Sequence, residues 1–236
     1  MEGSVARLPS LLSSEQQSPP LQQQGGRIPI DVAVAAPKIN NVKTHIYLTR
    51  KGRKRLLVQI GRYKIKMEKH NNFSVCRDPE LERRAYTLFE KQGFINITGI
   101  PNLEAVADVI PRLCTVFHLR ASHVASAQPC IDNISTAGVF PRRLDLNRLR
   151  RILLPEVKSK AQSARGVNEV IDPNPPPSSY FTILLNRDKF PGASCRAKGY
   201  GTITLFSSGK YVIVGSKCLE QMQQVFLKMA AVIATL

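Results

Sequence analysis

The chain is written twice. Ile39-Asn40-Asn41-Val42-Lys43-Thr44 returns as Ile131-Asp132-Asn133-Ile134-Ser135-Thr136, and Thr87-Leu88-Phe89 returns as Thr204-Leu205-Phe206. Gly99 followed by Leu103-Glu104 returns as Gly215 followed by Leu219-Glu220, with the same step from glycine to leucine. A duplicated order of elements restricts the 236 residues to two like halves of about a hundred residues each, the ordinary domain range. Each copy reads as a strand, an amphipathic helix, a set of short strands and a closing helix.

The local patterns support that order. In the first copy Val42 to Leu48 is rich in β-formers, Thr49 to Gly52 has turn chemistry, and Leu56, Leu57, Ile60 and Tyr63 mark a helical stripe. In the second, Ile131 to Ala137 is the strand, and Leu146, Leu149, Ile152 and Leu153 form the stripe that Pro155 ends. One closing helix carries Leu103, Val106, Ala107, Ile110, Leu113 and Phe117, with a kink expected at Pro111. The other carries Leu219, Met222, Val225, Phe226, Met229 and Ile233. The expected bounds are residues 38–120 for repeat 1, 121–128 for a linker and 129–236 for repeat 2. A Pro-rich insertion at about 155–179, with Asp172-Pro173-Asn174-Pro175-Pro176-Pro177 at its end, is read as a stiff extended connector.

Residues 1–37 are rich in Gln, Ser, Pro and Gly and read as a disordered tail, because so few apolar side chains cannot offset the entropy of ordering. Thirty-four Lys and Arg against seventeen Asp and Glu leave a formal charge of +17. The tail holds two basic and three acidic residues, so the excess belongs to the folded part and points to a polyanionic partner. Lys43 to Lys69 alone holds ten basic residues and one acid, Glu68. Its run Arg50-Lys51-Gly52-Arg53-Lys54-Arg55 reads as a nuclear-import signal, a phosphate-facing loop or a solvated face. No segment has the length of a membrane span or the pattern of a signal peptide, so a soluble, unexported protein is expected. Cys76, Cys114, Cys130, Cys195 and Cys218 form no CxxC pair, and free thiols of a reducing compartment are expected.

Phe73 and Phe89 are sixteen residues apart, and so are Phe190 and Phe206. If each interval is a hairpin, its turn falls at Pro79-Glu80-Leu81-Glu82 and at Ala197-Lys198-Gly199-Tyr200, and each hairpin presents two phenylalanines side by side. A single such Phe is more often a core residue. Two equally spaced pairs in a basic, duplicated chain argue for a surface.

These residues resemble the TATA-binding protein family. Asn41 and Asn133, each just before Val42 or Ile134, look like its two groove-reading asparagines. Phe73, Phe89, Phe190 and Phe206 look like its four wedging phenylalanines. Phe190-Pro191-Gly192 copies its FPG, and Leu205-Phe206-Ser207-Ser208-Gly209-Lys210 with Val212 and Gly215 looks like its strand-turn-strand signature. Thr98-Gly99 matches its threonine-glycine. The resemblance covers roughly residues 38 to 236 and is more specific in the second copy.

The resemblance implies an α+β saddle: a curved ten-stranded antiparallel sheet of two pseudo-symmetric repeats, with helices on the convex face. It implies minor-groove contacts by Asn41, Asn133, Val42, Ile134, Leu88, Leu205, Thr98 and Val214, intercalation by the four phenylalanines, and phosphate contacts by Arg77, Lys91, Arg196 and Lys210. Implied partners are double-stranded A·T-rich promoter DNA, transcription factors IIA and IIB or divergent equivalents, and the RNA polymerase machinery. The expected setting is the nucleus or a viral transcription compartment, with the protein a monomer on DNA, needing no cofactor or metal and no membrane. The implied function is a general initiation factor that bends promoter DNA and nucleates the preinitiation complex.

Several residues depart from the family pattern. Val214 replaces a threonine, Glu90 follows Phe89 where a small or polar residue is usual, and both Phe-to-Phe hairpins are one residue shorter. Asn186-Arg187-Asp188-Lys189 is not acidic where the family receives transcription factor IIB. Two other readings keep the fold: a regulatory module that binds general factors without inserting into DNA, and the substrate-gripping domain of a nuclease. The string Cys114, His118, His123, Cys130 matches no standard zinc module. With no Walker loop and no paired nucleophile and base, an enzyme is not expected.

Overall fold

A computed structural model describes residues 36–154, 179–186 and 188–236. The expected tail, apart from its last two residues, and nearly all of the Pro-rich insertion lie outside the described residues.

Ten strands form one sheet: β1 (Lys38–Tyr47), β2 (Glu68–Lys69), β3 (Ser74–Arg77), β4 (Ala85–Phe89), β5 (Phe94–Ile100), β6 (Cys130–Val139), β7 (Phe181–Leu185), β8 (Gly192–Ala197), β9 (Gly201–Phe206) and β10 (Lys210–Ser216). Their order is β2-β3-β4-β5-β1-β6-β10-β9-β8-β7. Every pairing is antiparallel. The two long opening strands β1 and β6 pair at the centre, and each repeat extends outward from its own. Register breaks between Ile39 and Asn41 and between Lys43 and Thr44, the signature of bulges at this central seam.

Strand alternation sends one set of side chains to a covered face. In β1, Val42, Thr44 and Ile46 are buried, while Lys43 and His45 keep partial exposure and Tyr47 is exposed. The covered face forms one apolar cluster per repeat. In repeat 1 it includes Ile46, Leu56, Tyr86, Ile97, Leu113 and Phe117. In repeat 2 it includes Leu149, Cys195, Ile203, Ile213, Val225 and Met229.

The helices are α1 (Arg50–Arg62), α2 (Val109–Val116), α3 (Leu146–Leu153) and α4 (Leu219–Ala234). Three sequence expectations change here. Thr49 to Gly52 is not a turn: the Thr49 hydroxyl accepts the Gly52 N–H at 2.9 Å and caps α1, so the basic run Arg50 to Arg55 is helical rather than a loop. Leu57 in α1 and Tyr63 at its C-cap are exposed, whereas Gln59 is buried and donates its Nε2 to the His118 carbonyl at 2.8 Å. The first closing helix is also not one kinked rod. A short 3-10 turn, Glu104–Val106, precedes α2, and Pro111 falls in the opening turn of α2, where a missing N–H breaks no helical bond.

The hairpins carry the turns expected of them, but the two are built differently. The repeat 2 hairpin closes with Ala197 paired to Gly201. In repeat 1, residues 78–84 form a longer loop organised by Asp78, whose side chain is fully buried. Asp78 accepts from Tyr86 Oη at 2.8 Å, Arg112 Nε at 2.9 Å and Nη2 at 2.5 Å, and the Glu80 and Leu81 amides at 3.0 Å. Burial alone would raise its pKa, yet the bonds from Arg112, the Glu80 amide, Tyr86 and the Leu81 amide hold it well below the usual carboxylate range. Segment 121–128 is strapped to β1: Leu48 bridges Val124, and the Ala125 N–H reaches the Tyr47 carbonyl at 2.8 Å.

Candidate nucleic-acid interface

Cross-strand registers define rows on the face opposite the helices. In repeat 1, His45 pairs with Asn96, Asn96 with Thr87, and Thr87 with Val75. In repeat 2, Ala137 pairs with Val212, Val212 with Thr204, Thr204 with Ser194, and Ser194 with Leu184. The result is a continuous open sheet face, available because an antiparallel sheet tolerates one unpacked side.

Asn41 and Asn133 sit at the centre of this face in matching surroundings. Asn41 Oδ1 accepts the Gly99 N–H at 2.9 Å, and Asn133 Oδ1 accepts the Gly215 N–H. Both glycines have positive φ, +79° and +89°, a conformation that an L side chain would strain. A backbone N–H can bond only to the amide oxygen, so each clamp leaves the Nδ2 hydrogens as the donors on offer. The Gly99 and Gly215 repeat read in the sequence is thereby explained.

The phenylalanine pairs come together at the two flanks. Phe73 and Phe89 have ring centroids 5.8 Å apart, as do Phe190 and Phe206. In repeat 1 the register of β3 on β4 runs on to set Phe73 opposite Phe89. In repeat 2, Phe206 faces Gly192 instead of Phe190. A Cβ on Gly192 would stand 2.7 Å from Phe190 and 3.1 Å from Phe206, so the missing side chain is what lets these rings meet.

Four expected groove contacts are corrected. Val42, Ile134 and Leu205 have no exposure and Leu88 has 3%. Alternation puts each of them on the helix side, one residue out of phase with the open face. Their neighbours Lys43, Ser135, Thr87 and Thr204 occupy the open side instead. Thr98 and Val214 do face outward, on the rows of Ala85 and Thr202. Arg77 pairs with Ala85 and Arg196 with Thr202, which makes these two arginines equivalents, both exposed. Lys210 pairs with Val139, and the equivalent pair in repeat 1 is Phe94 with Tyr47. Lys91 is therefore not the counterpart of Lys210; it lies exposed in the β4–β5 turn.

Sequence reasoning missed two features of repeat 1. The first is a ladder of rings in which His70, Phe73, Phe89, Phe94, Tyr47 and His45 follow at centroid spacings of 4.6, 5.8, 4.6, 5.9 and 5.2 Å. The second is a hydrogen bond at the seam, where His45 Nδ1 donates to Asp132 Oδ1 at 2.7 Å. The repeat itself held a signal for both: positions 45 and 47 correspond to Ala137 and Val139, which cannot form either. No three potential metal ligands gather among the described residues. His118 instead stacks on Tyr63, and His123 Nδ1 accepts the Arg120 N–H. Of the departure ahead of Phe190, Lys189 is exposed and Arg187 lies outside the described residues.

Comparison with known proteins gives these arrangements a context. A sequence model of the family described as transcription factor TFIID (or TATA-binding protein, TBP) matches residues 182–236. A search of curated proteins finds no match. Among solved structures, Methanococcus jannaschii TBP superposes with a TM-score of 0.58 at 17% identity, covering 86% of this chain and all of that one. The fold is the TBP saddle, a curved ten-stranded antiparallel sheet with helices on one face. The chain thus has the TBP-like saddle fold in its described residues and carries that family's sequence pattern over residues 182–236.

Proposed function

We propose that this protein is a transcription initiation factor that binds A·T-rich promoter DNA through the minor groove, bends it, and nucleates a preinitiation complex. The observation that carries this reading is the pair of clamped asparagines. In the minor groove, A·T and T·A pairs offer only acceptors, adenine N3 and thymine O2, whereas G·C adds a guanine amino donor. Two amides whose oxygens are occupied and whose NH2 groups are free, related by the pseudo-twofold axis, complement acceptors and oppose the guanine amino group. The flanking rows of Val212, Thr204 and Thr202 supply close contact to a widened groove.

At the flanks the phenylalanine pairs enter base steps and unstack them, trading stacking for a wrapped interface. Arg77, Arg196 and Lys210 meet phosphates and supply the salt-dependent share of affinity. Transcription factors IIA and IIB, or divergent equivalents, dock on the remaining surface, with the nucleus or a viral transcription compartment as the setting. The regulatory alternative, binding general factors without DNA insertion, gains no observation of its own.

A gel-shift assay on A·T-rich and G·C-rich duplexes at two salt concentrations tests the reading. Selective A·T binding that persists at the higher salt is expected. Equal, fully salt-labile binding to both duplexes would show that the asparagines read nothing.

A further inference from the structure

The outer half of repeat 1 carries more than a wedge. Beyond Phe73 the ring ladder runs into a cleft of about 240 Å³ whose walls combine Lys69, Lys91, Asn71, Asn72 and Glu90 with the stacked His70 and Phe73. The other end of the ladder is Tyr47, 47% exposed, with His45 and its partner Asp132 beside it. Repeat 2 has Val139 where Tyr47 stands and Lys210 where Phe94 stands, so the duplicated backbone does not require either ring.

Rings displayed on a sheet face, flanked by lysines, match the chemistry of unpaired nucleic acid. Bases freed from a duplex stack on aromatic and imidazole planes, their phosphates take cationic neighbours, and amides and carboxylates bond their exposed edges. Duplex DNA has no use for most of this array, because its bases are already stacked on each other. Glu90 fits the same picture. A carboxylate is out of place against a phosphate, but as a pure acceptor it suits the exocyclic amino group of an unpaired cytosine or adenine.

We propose that the open face of repeat 1, from Tyr47 to the cleft at His70, is a binding site for single-stranded DNA. The ring ladder stacks successive bases, Lys69 and Lys91 hold phosphates, and Asn71, Asn72 and Glu90 contact base edges in the cleft. The assignment to DNA rests on the proposed function, in which the same sheet takes duplex DNA. The site itself does not depend on duplex bending.

The test uses the full chain and three short labelled oligomers: oligothymidylate, an abasic deoxyribose strand with the same phosphates, and oligouridylate. Fluorescence anisotropy is read at moderate salt. Oligothymidylate is expected to bind at least about tenfold more tightly than the abasic strand, since stacking is lost with the bases. Tyr47→Ala, Phe94→Ala and His70→Ala should each weaken oligothymidylate binding by roughly fivefold or more and leave abasic binding unchanged. If Phe94→Ala fails to fold, the exposed His70 and Tyr47 positions carry the test, with thermal unfolding as the control. Equal binding of thymidylate and abasic strands, or indifference to His70→Ala and Tyr47→Ala, overturns the site. Tighter binding of oligouridylate overturns the assignment to DNA. A duplex bend measured on the same samples reports the proposed function separately, so either can fail alone.

Discussion

The two halves of the open face are built on one backbone plan and finished differently. Repeat 2 lines its central row with Ala137, Val212, Thr204 and Ser194, small or β-branched side chains that keep the floor low. Repeat 1 lines the same row with His45, Asn96, Thr87 and Val75 and raises a ridge of rings beside it. What the halves share is what the architecture needs: a fully buried Val42 or Ile134 on the helix side, and an asparagine clamped by a positive-φ glycine. Core and clamp preserve the saddle, whereas the open face is free to diverge because no packing depends on it. The family's sequence pattern matches residues 182–236, which lie in the half with the low floor.

The largest effect that would sharpen this contrast lies at Asp78, where repeat 1 replaces a tight turn with a buried charge network. Asp78→Asn removes the buried charge that Arg112 Nε and Nη2 meet, leaving Arg112 only the exposed Glu80, and should cost about 3 kcal/mol in urea unfolding. Because the folded pKa of Asp78 is depressed, its contribution is complete above the unfolded value of about 3.9 and drains away as pH falls below it. The variant should therefore show a flatter acid limb of stability than the natural protein. An unchanged acid limb would mean that this network does not hold the hairpin.

Next come the wedges. Replacing Phe190 and Phe206 together with Ala should shorten the lifetime of the DNA complex by roughly tenfold or more and reduce the bend, with the fold intact. The matching change at Phe73 and Phe89 should cost less bend, because Phe89 is already stacked on Phe94 at 4.6 Å and is less free to enter a base step. Stopped-flow dissociation compares the two pairs directly, and equal losses would erase the proposed difference between the halves.

Asn41→Asp and Asn133→Asp place an acceptor against acceptors and should each lower A·T-site affinity by about tenfold while sparing nonspecific binding. Competition gel shifts read the ratio, and parallel losses on all sequences would remove base reading from these residues. The smallest effect is expected at the seam. Asp132→Asn removes the one carboxylate there and should raise duplex affinity by on the order of twofold at low salt, fading as salt rises. A loss of affinity would show instead that the carboxylate is part of the binding surface.

Much of the fold was legible because duplication exposes what both copies must keep. Asn41 with Gly99 and Asn133 with Gly215 recur since each pair forms a clamp, and α4 follows its 3.6-residue stripe from Leu219 to Ile233. The errors came from phase. Val42, Ile134, Leu88 and Leu205 lie beside true open-face positions, and a strand reverses its face with every residue, so adjacency misleads unless register is known. The ring ladder was invisible for a different reason: Tyr47, Phe94 and His70 are far apart in sequence, and only the order β4-β5-β1 sets Phe94 beside Phe89 and Tyr47 beside Phe94. Pro111 misled because proline alone does not say whether it bends a helix or opens one.

The central claim, that two clamped asparagines and two phenylalanine pairs grip and bend an A·T minor groove, is tested most directly by the end-to-end distance of a doubly labelled duplex. Fluorescence energy transfer should rise sharply when the full chain binds an A·T-rich duplex, persist at high salt, and stay at the free-DNA level on a G·C-rich duplex. A duplex that stays straight when saturated with protein, or that bends equally on both sequences, would contradict it.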